Sequence, residues 1–313
     1  MPVHPQVVQY LEEVAKVDLP SFDEMTPELI RSTLSPSPEP HFPAQKIEDL
    51  KLPVNQTELP VRIYTPEESE ANSPAAFPAL VYFHGGGWVM GTLDAYDGLC
   101  QDLAGSAGCK VISVDYRMAP EHPYPVPFED AYAATEWISD HAGELEIDPT
   151  RIAVGGDSAG GNLATAVAIR ARQPNRLNLI YQMLVYPVTN YRFDTESYQK
   201  YGIDYFLTKR AMEWFWEQYL PNESAGREIY ASPLRCKDLS GLPDAIVITA
   251  GYDPLYSEAV QYVELMRRSG GNVEHINFED MIHGFFRRAD LYDRAFEAVQ
   301  LTGRYLKTAF SKG

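Results

Sequence analysis

Residues 156–161 read Gly156-Asp157-Ser158-Ala159-Gly160-Gly161. They lie between a β-branched apolar run at 151–155 and a run of small, helix-forming residues at 162–171. This pattern predicts a strand, a tight turn and a helix, with Gly-x-Ser-x-Gly at the turn. In such a turn the hydroxyl of Ser158 is exposed, and a helix beginning near Ala159 directs backbone N–H groups toward developing negative charge. The pentapeptide alone also fits a glycine-rich turn of any α/β protein, so the remaining chain has to decide.

The composition favours one large α/β domain with an insertion. The chain has 313 residues, and 45% of them are hydrophobic, which is enough for a sizeable core. Its 44 acidic residues outnumber 26 basic ones, giving a net charge of -18. This charge argues against nucleic acid and anionic membrane surfaces as partners.

The cysteine pattern and the N-terminus indicate a cellular location. The cysteines at 100, 109 and 236 form no Cys-x-x-Cys pair, so we predict neither a disulfide framework nor a metal site. No apolar run is long enough for a transmembrane helix. Glu12 and Glu13 interrupt the first apolar residues, and no basic residue precedes Lys16, unlike a signal peptide. We therefore expect a cytoplasmic protein that does not bind membranes.

A glycine triplet follows an apolar stretch in the first half of the chain. Strand signals begin at 61–64, and residues 79–83 then read as a strand buried on both faces. The sequence continues as His84-Gly85-Gly86-Gly87-Trp88. Glycine weakens a strand, but N–H groups without side chains can approach a ligand oxygen closely. The triplet therefore predicts an oxyanion-binding loop opposite Ser158, with His84 orienting the loop; a flexible turn is the alternative.

The histidine base and the acid that would assist Ser158 can be chosen by excluding the other candidates in the chain. In this type of fold the chain order is serine, acid, histidine, and only His275 and His283 follow Ser158. His275 falls within a predicted strand, whereas His283 lies in a predicted loop beyond it. Asp253 directly follows a buried strand, where side chains of an open α/β sheet meet ligands. Asp280 is the rival acid, but it lies on the predicted loop of His283, poorly placed to reach that imidazole. A buried structural Ser–His pair is the alternative to a catalytic triad.

Two segments interrupt the alternation of strands and helices. Residues 1–45 carry two short helical patterns, and residues 188–230 are rich in aromatic side chains, with Thr208 predicted to cap a helix. We interpret both segments as a helical cap over Ser158, although an aromatic stripe can also be ordinary core. The catalytic domain is then predicted to comprise residues 46–187 and 231–313.

Five stretches together resemble the hormone-sensitive-lipase group (bacterial family IV) of carboxylesterases in the α/β-hydrolase superfamily. They occur in the family's order, between about residue 80 and residue 285. Asp280 departs from the family pattern, which has glycine three residues before the histidine. The stretches are His84-Gly85-Gly86-Gly87-Trp88, Tyr116-Arg117-Met118-Ala119-Pro120-Glu121-His122-Pro123, Gly156-Asp157-Ser158-Ala159-Gly160-Gly161-Asn162, Asp253-Pro254-Leu255 and His283-Gly284-Phe285.

The resemblance implies a fold and a reaction. The fold would be a mostly parallel central sheet flanked by helices, with a two-part helical cap. Ser158 would attack an ester carbonyl, with His283 as base and Asp253 orienting it. The N–H groups of Gly85, Gly86 and Ala159 would bind the oxyanion, without metal or cofactor. The substrate would be a small-molecule ester with a short or medium acyl chain, and the family suggests a homodimer.

Two alternatives to a carboxylesterase remain from the sequence. The same catalytic groups could cleave amides or lactones. The scaffold also serves non-catalytic small-molecule receptors such as the plant gibberellin receptors, which lack the working histidine. This chain has His283, which favours an enzyme.

Overall fold

The structure is a computed structural model that describes residues 2–17, 20–67, 76–172 and 177–312. The strands within these ranges are β1 (Lys46–Val54), β2 (Thr57–Thr65), β3 (Phe77–Phe83), β4 (Lys110–Val114), β5 (Ile147–Asp157), β6 (Tyr181–Val185), β7 (Asp244–Tyr252) and β8 (Val273–Ile282). The helices are α1 (Pro5–Val14), α2 (Pro27–Ser32), α3 (Asp97–Ala107), α4 (Val126–Asp140), α5 (Ala159–Ala171), α6 (Glu196–Tyr201), α7 (Lys209–Tyr219), α8 (Tyr256–Arg268) and α9 (Asp293–Phe310).

The strands form one sheet in the order β1-β2-β4-β3-β5-β6-β7-β8. The pairs β1–β2 and β2–β4 are antiparallel, and every pair from β4 to β8 is parallel. Parallel strands joined by helical crossovers need cover on both faces, and all residues of β3 are buried. The prediction of a mostly parallel sheet flanked by helices is confirmed.

Two apolar clusters lie on opposite faces of the sheet. Side chains of β3 alternate between them, with Val81 and Phe83 in one cluster and Leu80 and Tyr82 in the other. Helices α4, α5 and α8 pack on the first face, and α3 and α9 pack on the second. This arrangement holds the carboxyl ends of β3, β5, β7 and β8 at one edge, where the predicted site residues follow.

Two strand predictions were wrong. β1 is an additional strand ahead of 61–64, and it pairs with β2 across Asn55 and Gln56, both at positive φ (49° and 59°). Most β1 side chains are exposed, so the strand lacks the apolar alternation that would predict it. β8 also runs on to Ile282, and Asp280 therefore lies in a strand rather than in a loop.

The N-terminal segment touches the segment inserted after β6. The ring of Phe22 lies 5.9 Å from Trp214 and 6.2 Å from Phe215, centroid to centroid. Arg210 of α7 forms an ion pair with Asp23 at 2.7 Å. Thr208 caps α7 as predicted, since its hydroxyl accepts the N–H of Ala211 at 3.0 Å.

Among the described residues, no helix is both long enough and apolar enough to cross a membrane.

Candidate active site

Ser158 stands at the sharp turn between β5 and α5. Its φ of 56° and ψ of −118° are unfavourable for a residue with a Cβ. The turn is possible because Gly156 and Gly160 lie against the carbonyl of Phe83, where any Cβ would collide. The backbone of Ser158 is also held by its N–H, which donates to the carbonyl of Val185 at 2.9 Å. Strain of this kind marks a site where side-chain direction matters.

Three predicted residues meet through their side chains. His283 Nε2 lies 2.9 Å from Ser158 Oγ, and His283 Nδ1 lies 2.7 Å from Asp253 Oδ2. All three residues are buried. Asp253 is itself oriented, because its Oδ1 accepts the N–H of Leu255 at 2.8 Å. The arrangement allows a proton to pass from the hydroxyl to an imidazole that a carboxylate holds in one tautomer.

Asp280 and His275, which the sequence analysis set aside as acid and base, lie outside this hydrogen-bonded chain. Asp280 Oδ2 is 3.5 Å from a guanidinium nitrogen of Arg294 on α9. The strand carries Asp280 without a positive φ, so the side chain replaces the family's glycine without backbone strain. His275 Nε2 is 2.9 Å from the hydroxyl of Thr249 on the neighbouring strand. Neither residue contacts Ser158 or His283 through a hydrogen bond in the described chain.

The N–H of Gly85, which we predicted to bind the oxyanion, already has an acceptor. It donates to Asp157 Oδ1 at 2.9 Å. The same carboxylate accepts the hydroxyls of Tyr82 at 2.7 Å and Tyr96 at 3.2 Å. Asp157 therefore fastens the glycine loop to the strand that carries Ser158. The sequence analysis missed this residue, although its position directly before Ser158 could have indicated it.

The backbone N–H groups of the next two glycines, Gly86 and Gly87, remain available to bind a ligand oxygen. Gly86 and Gly87 have φ values of 107° and 60°. The carbonyl of Gly86 accepts the N–H groups of Val89 at 3.1 Å and Met90 at 3.0 Å, which tightens the loop. The N–H groups of Gly86, Gly87 and Ala159 have no acceptor within the described residues. Ala159 opens α5, where the first N–H groups of a helix are free.

His84 orients this loop, as predicted. Its Nδ1 lies 2.8 Å from the carbonyl of Gly85, and its ring stacks on Tyr116 at 4.5 Å. Tyr116 in turn donates its hydroxyl to the carbonyl of His84 at 2.8 Å. Complete burial lowers the pKa of His84, which favours the neutral ring as a hydrogen-bonding partner.

Aromatic residues of the inserted segment pack directly on the loop. The ring of Tyr219 stacks on Trp88 at 4.1 Å, and Trp216 lies 4.7 Å from Trp88. A Cβ at Gly87 would collide with the ring of Phe215. Phe206 is 47% exposed and approaches Gly284, the residue after His283. Most of these aromatic residues are therefore buried core residues, whereas Phe206 is exposed.

The N-terminal segment also reaches the glycine loop. Arg31 of α2 donates to the carbonyls of Val89 at 2.8 Å and Ala119 at 3.0 Å. Its guanidinium also binds Glu121 through two hydrogen bonds of 2.7 and 2.6 Å. That contact lowers the pKa of Glu121 to about 2. α2 is thus attached to the end of the loop that follows the glycines.

Comparisons with known proteins show which family the chain resembles. A family model for the alpha/beta hydrolase fold, Abhydrolase_3, matches residues 80–287. The carboxylic ester hydrolase LipN of Mycobacterium tuberculosis is 40% identical over 256 residues, which are 80% of this chain and 66% of LipN. The chain thus spans slightly less than two thirds of that relative.

Two further relatives extend the comparison. The hyperthermophilic esterase from the archaeon Pyrobaculum calidifontis superposes with a TM-score of 0.90 at 36% identity, over 98% of this chain and 99% of the esterase. The gibberellin receptor GID1C of Arabidopsis thaliana is 32% identical over 250 residues, 74% of this chain and 72% of the receptor. The family match, the superposition and the glycine loop opposite the serine turn lead to one assignment. The chain belongs to the hormone-sensitive-lipase-like family of the α/β-hydrolase superfamily.

Proposed function

We propose that this ester hydrolase cleaves carboxylic esters through a triad of Ser158, His283 and Asp253. The observation that carries the proposal is the continuous hydrogen-bonded chain from Ser158 Oγ through His283 to Asp253. Relatives named as esterases, which match most of this chain, support the same reaction.

The mechanism follows from the polarity of these groups. Ser158 Oγ attacks the ester carbonyl carbon while His283 Nε2 takes its proton. The imidazolium that forms is stabilised by Asp253 through the Nδ1 contact of 2.7 Å. Collapse of the tetrahedral intermediate releases the alcohol, which receives its proton from His283. Water, activated by His283, then attacks the acyl-serine and returns the enzyme to its starting state.

The negative charge on the carbonyl oxygen needs donors that are free before the reaction. We assign this role to the N–H groups of Gly86 and Ala159, together with that of Gly87. Backbone donors held by a rigid loop stabilise an oxyanion without reorganising during the reaction. Gly85 would contribute indirectly, because its hydrogen bond to Asp157 attaches the glycine loop to the strand that precedes Ser158.

We propose that the helical cap limits the size of the substrate. Residues 1–45 and 188–230 would form the cap, and 46–187 with 231–313 the catalytic domain. Phe215 packs on the glycine loop and Phe206 approaches Gly284, the residue after His283, so these aromatic side chains would limit the space beside Ser158. We therefore propose short- to medium-chain esters as substrates. Separately, we propose that the protein works as a homodimer in the cytoplasm, as the family resemblance implies.

An active-site label tests the proposal directly. A fluorophosphonate should modify one serine, and mass spectrometry of the digested protein should locate the label on Ser158. A panel of matched p-nitrophenyl esters, anilides and lactones would then rank ester against amide and lactone cleavage. Absence of labelling together with absence of hydrolysis would support a receptor, which the similarity to a gibberellin receptor makes the relevant alternative.

A further inference from the structure

A buried carboxyl group outside the triad holds two backbone amides near the site. Glu258 lies in the first turn of α8 and is completely buried. Its Oε1 accepts the N–H groups of Thr189 at 2.7 Å and Asn190 at 3.1 Å. Its Oε2 has no hydrogen-bond partner in the described chain. No step of the proposed mechanism uses this carboxyl.

The segment that Glu258 holds is also tied to the turn of the nucleophile. The N–H of Val188 donates to the carbonyl of Ser158 at 3.2 Å. The carbonyl of Val188 accepts the side-chain amide of Asn162, from the first turn of α5, at 2.9 Å. Residues 188–190 are therefore bonded on one side to the Ser158 turn and on the other side to α8.

Helix α8 is continuous with the turn that carries the acid. Asp253 Oδ1 accepts the N–H of Leu255 at 2.8 Å, and Leu255 accepts the N–H of Ala259 at 3.0 Å. Asp253 and Glu258 are thus linked through the hydrogen bonds at the start of α8. A closed path of hydrogen bonds runs from Asp253 through α8, Glu258 and residues 188–190 to Ser158.

We propose that Glu258 is a positioning residue, which sets the distance between the acid-bearing turn and the nucleophile by clamping residues 188–190. This inference rests on the proposed function, because it concerns the alignment of the proposed triad. Small displacements matter in such a site, where misplacement by about 1 Å can cost on the order of 100-fold in rate.

The surroundings favour a neutral carboxyl at this position. The pKa of Glu258 is raised to about 8, mainly by burial; the two backbone N–H groups act to lower it, and the negative charge of Asp253 acts to raise it. Another titratable group nearby is Tyr198, whose buried hydroxyl also has no partner among the described residues. A protonated Glu258 can still accept both amides through one oxygen without placing a second charge beside Asp253. Glutamine therefore imitates the working form.

Three variants and a matched control separate positioning from general packing. Glu258→Leu removes the acceptor, Glu258→Asp withdraws it by one methylene, and Glu258→Gln keeps it. Val263→Ala creates a cavity at another buried position of the same helix without altering the carboxyl of Glu258. The measurements are kcat and KM with p-nitrophenyl butyrate, the rate constant of fluorophosphonate labelling, and Tm.

We expect Glu258→Leu to lower kcat and the labelling rate by about 10- to 100-fold with KM within about twofold. Glu258→Asp should lower kcat by an intermediate factor, and Glu258→Gln should keep kcat close to that of the wild type. Val263→Ala should lower Tm without lowering kcat. If Glu258→Leu does not fold, the contrast between the Asp and Gln variants carries the test. Equal kcat in the Asp and Gln variants, or a kcat loss in Val263→Ala as large as theirs, would overturn the inference. Failure of the wild type to label or hydrolyse would instead defeat the proposed function.

Discussion

The carboxylate of Asp157 and the backbone N–H of Gly85 are joined by a hydrogen bond of 2.9 Å, across 72 residues of sequence. This contact attaches the glycine loop to the strand that presents Ser158. It also occupies the N–H of Gly85, which is why we propose the following glycines and Ala159 as the oxyanion donors. The residue beside the nucleophile therefore shapes the opposite side of the site.

Asp157→Asn should lower kcat by about 10- to 100-fold, the range expected when a preorganised oxyanion site is loosened. Asparagine offers one acceptor oxygen where three donors converge, and it turns an amide NH₂ toward a donor. Steady-state kinetics with a short-chain p-nitrophenyl ester provides the measurement. Tyr96→Phe is the control, because it removes only the longest of the three contacts, 3.2 Å, and should cost little. Equal kcat in Asp157→Asn and wild type would contradict the anchoring role.

Ser158→Ala should abolish turnover and leave the fold unchanged. The turn is determined by Gly156 and Gly160, so loss of the hydroxyl removes the nucleophile with little effect on packing. We expect a decrease in kcat on the order of 10⁴ or more. Ser106→Ala is a matched control, since the buried Ser106 hydroxyl has no partner in the described chain. Hydrolysis by Ser158→Ala at a rate comparable with the control would rule out Ser158 as the nucleophile.

Asp253→Asn should lower kcat severely, whereas Asp280→Asn should lower it only slightly. An amide at position 253 can stabilise the wrong tautomer of His283, which in a serine triad costs on the order of 10³- to 10⁴-fold in kcat. Among the described residues, the side chain of Asp280 has a hydrogen bond only to Arg294, at 3.5 Å, so an amide at this position should reduce kcat by less than about threefold. Both variants can be compared by kcat/KM at one pH and by circular dichroism for the fold. The opposite ranking would show that Asp253 is not the acid.

Stability should depend on pH through Glu258. The pKa of this carboxyl is raised from 4.5 to about 8, so the folded protein binds its proton more tightly than the unfolded chain. The contribution of the protonated group is complete below about pH 4.5 and declines as pH rises toward 8. Glu258→Gln has no such proton, and its Tm relative to wild type should increase by at least about 2 °C between pH 5 and pH 8. Calorimetry at both pH values measures the difference, and a constant Tm difference would show that Glu258 is already ionised in the fold.

Short and medium acyl chains should be preferred over long ones. Each buried methylene contributes about 0.8 kcal/mol, so kcat/KM should rise with chain length until the space under the aromatic side chains is full. Longer chains must then stay in water or displace residues such as Phe206 and Phe215. We expect an optimum near roughly four to eight carbons by this reasoning. A series from p-nitrophenyl acetate to palmitate tests it; a monotonic rise to palmitate, or activation at an oil–water interface, would indicate a lipase instead.

The sequence by itself determined the fold class and the three residues that meet in the site. Long apolar strands buried on both faces, each followed by a helix, leave few arrangements other than a covered parallel sheet. In that sheet, residues just after strand ends share one edge, so Ser158, Asp253 and His283 could be singled out from order and position alone. Their catalytic roles stay predictions, as do the boundaries of the cap.

Only the tertiary structure decided which groups surround these three residues. The N–H of Gly85 is occupied because Asp157 approaches it from a neighbouring strand, whereas the N–H groups of Gly86 and Gly87 meet no acceptor among the described residues. The exposed strand β1 and the clamp of Glu258 on Thr189 and Asn190 were equally invisible in the sequence. Local periodicity reports which face of an element is apolar. A hydrogen bond between residues distant in the chain depends on distances and directions that are set only when the elements have packed.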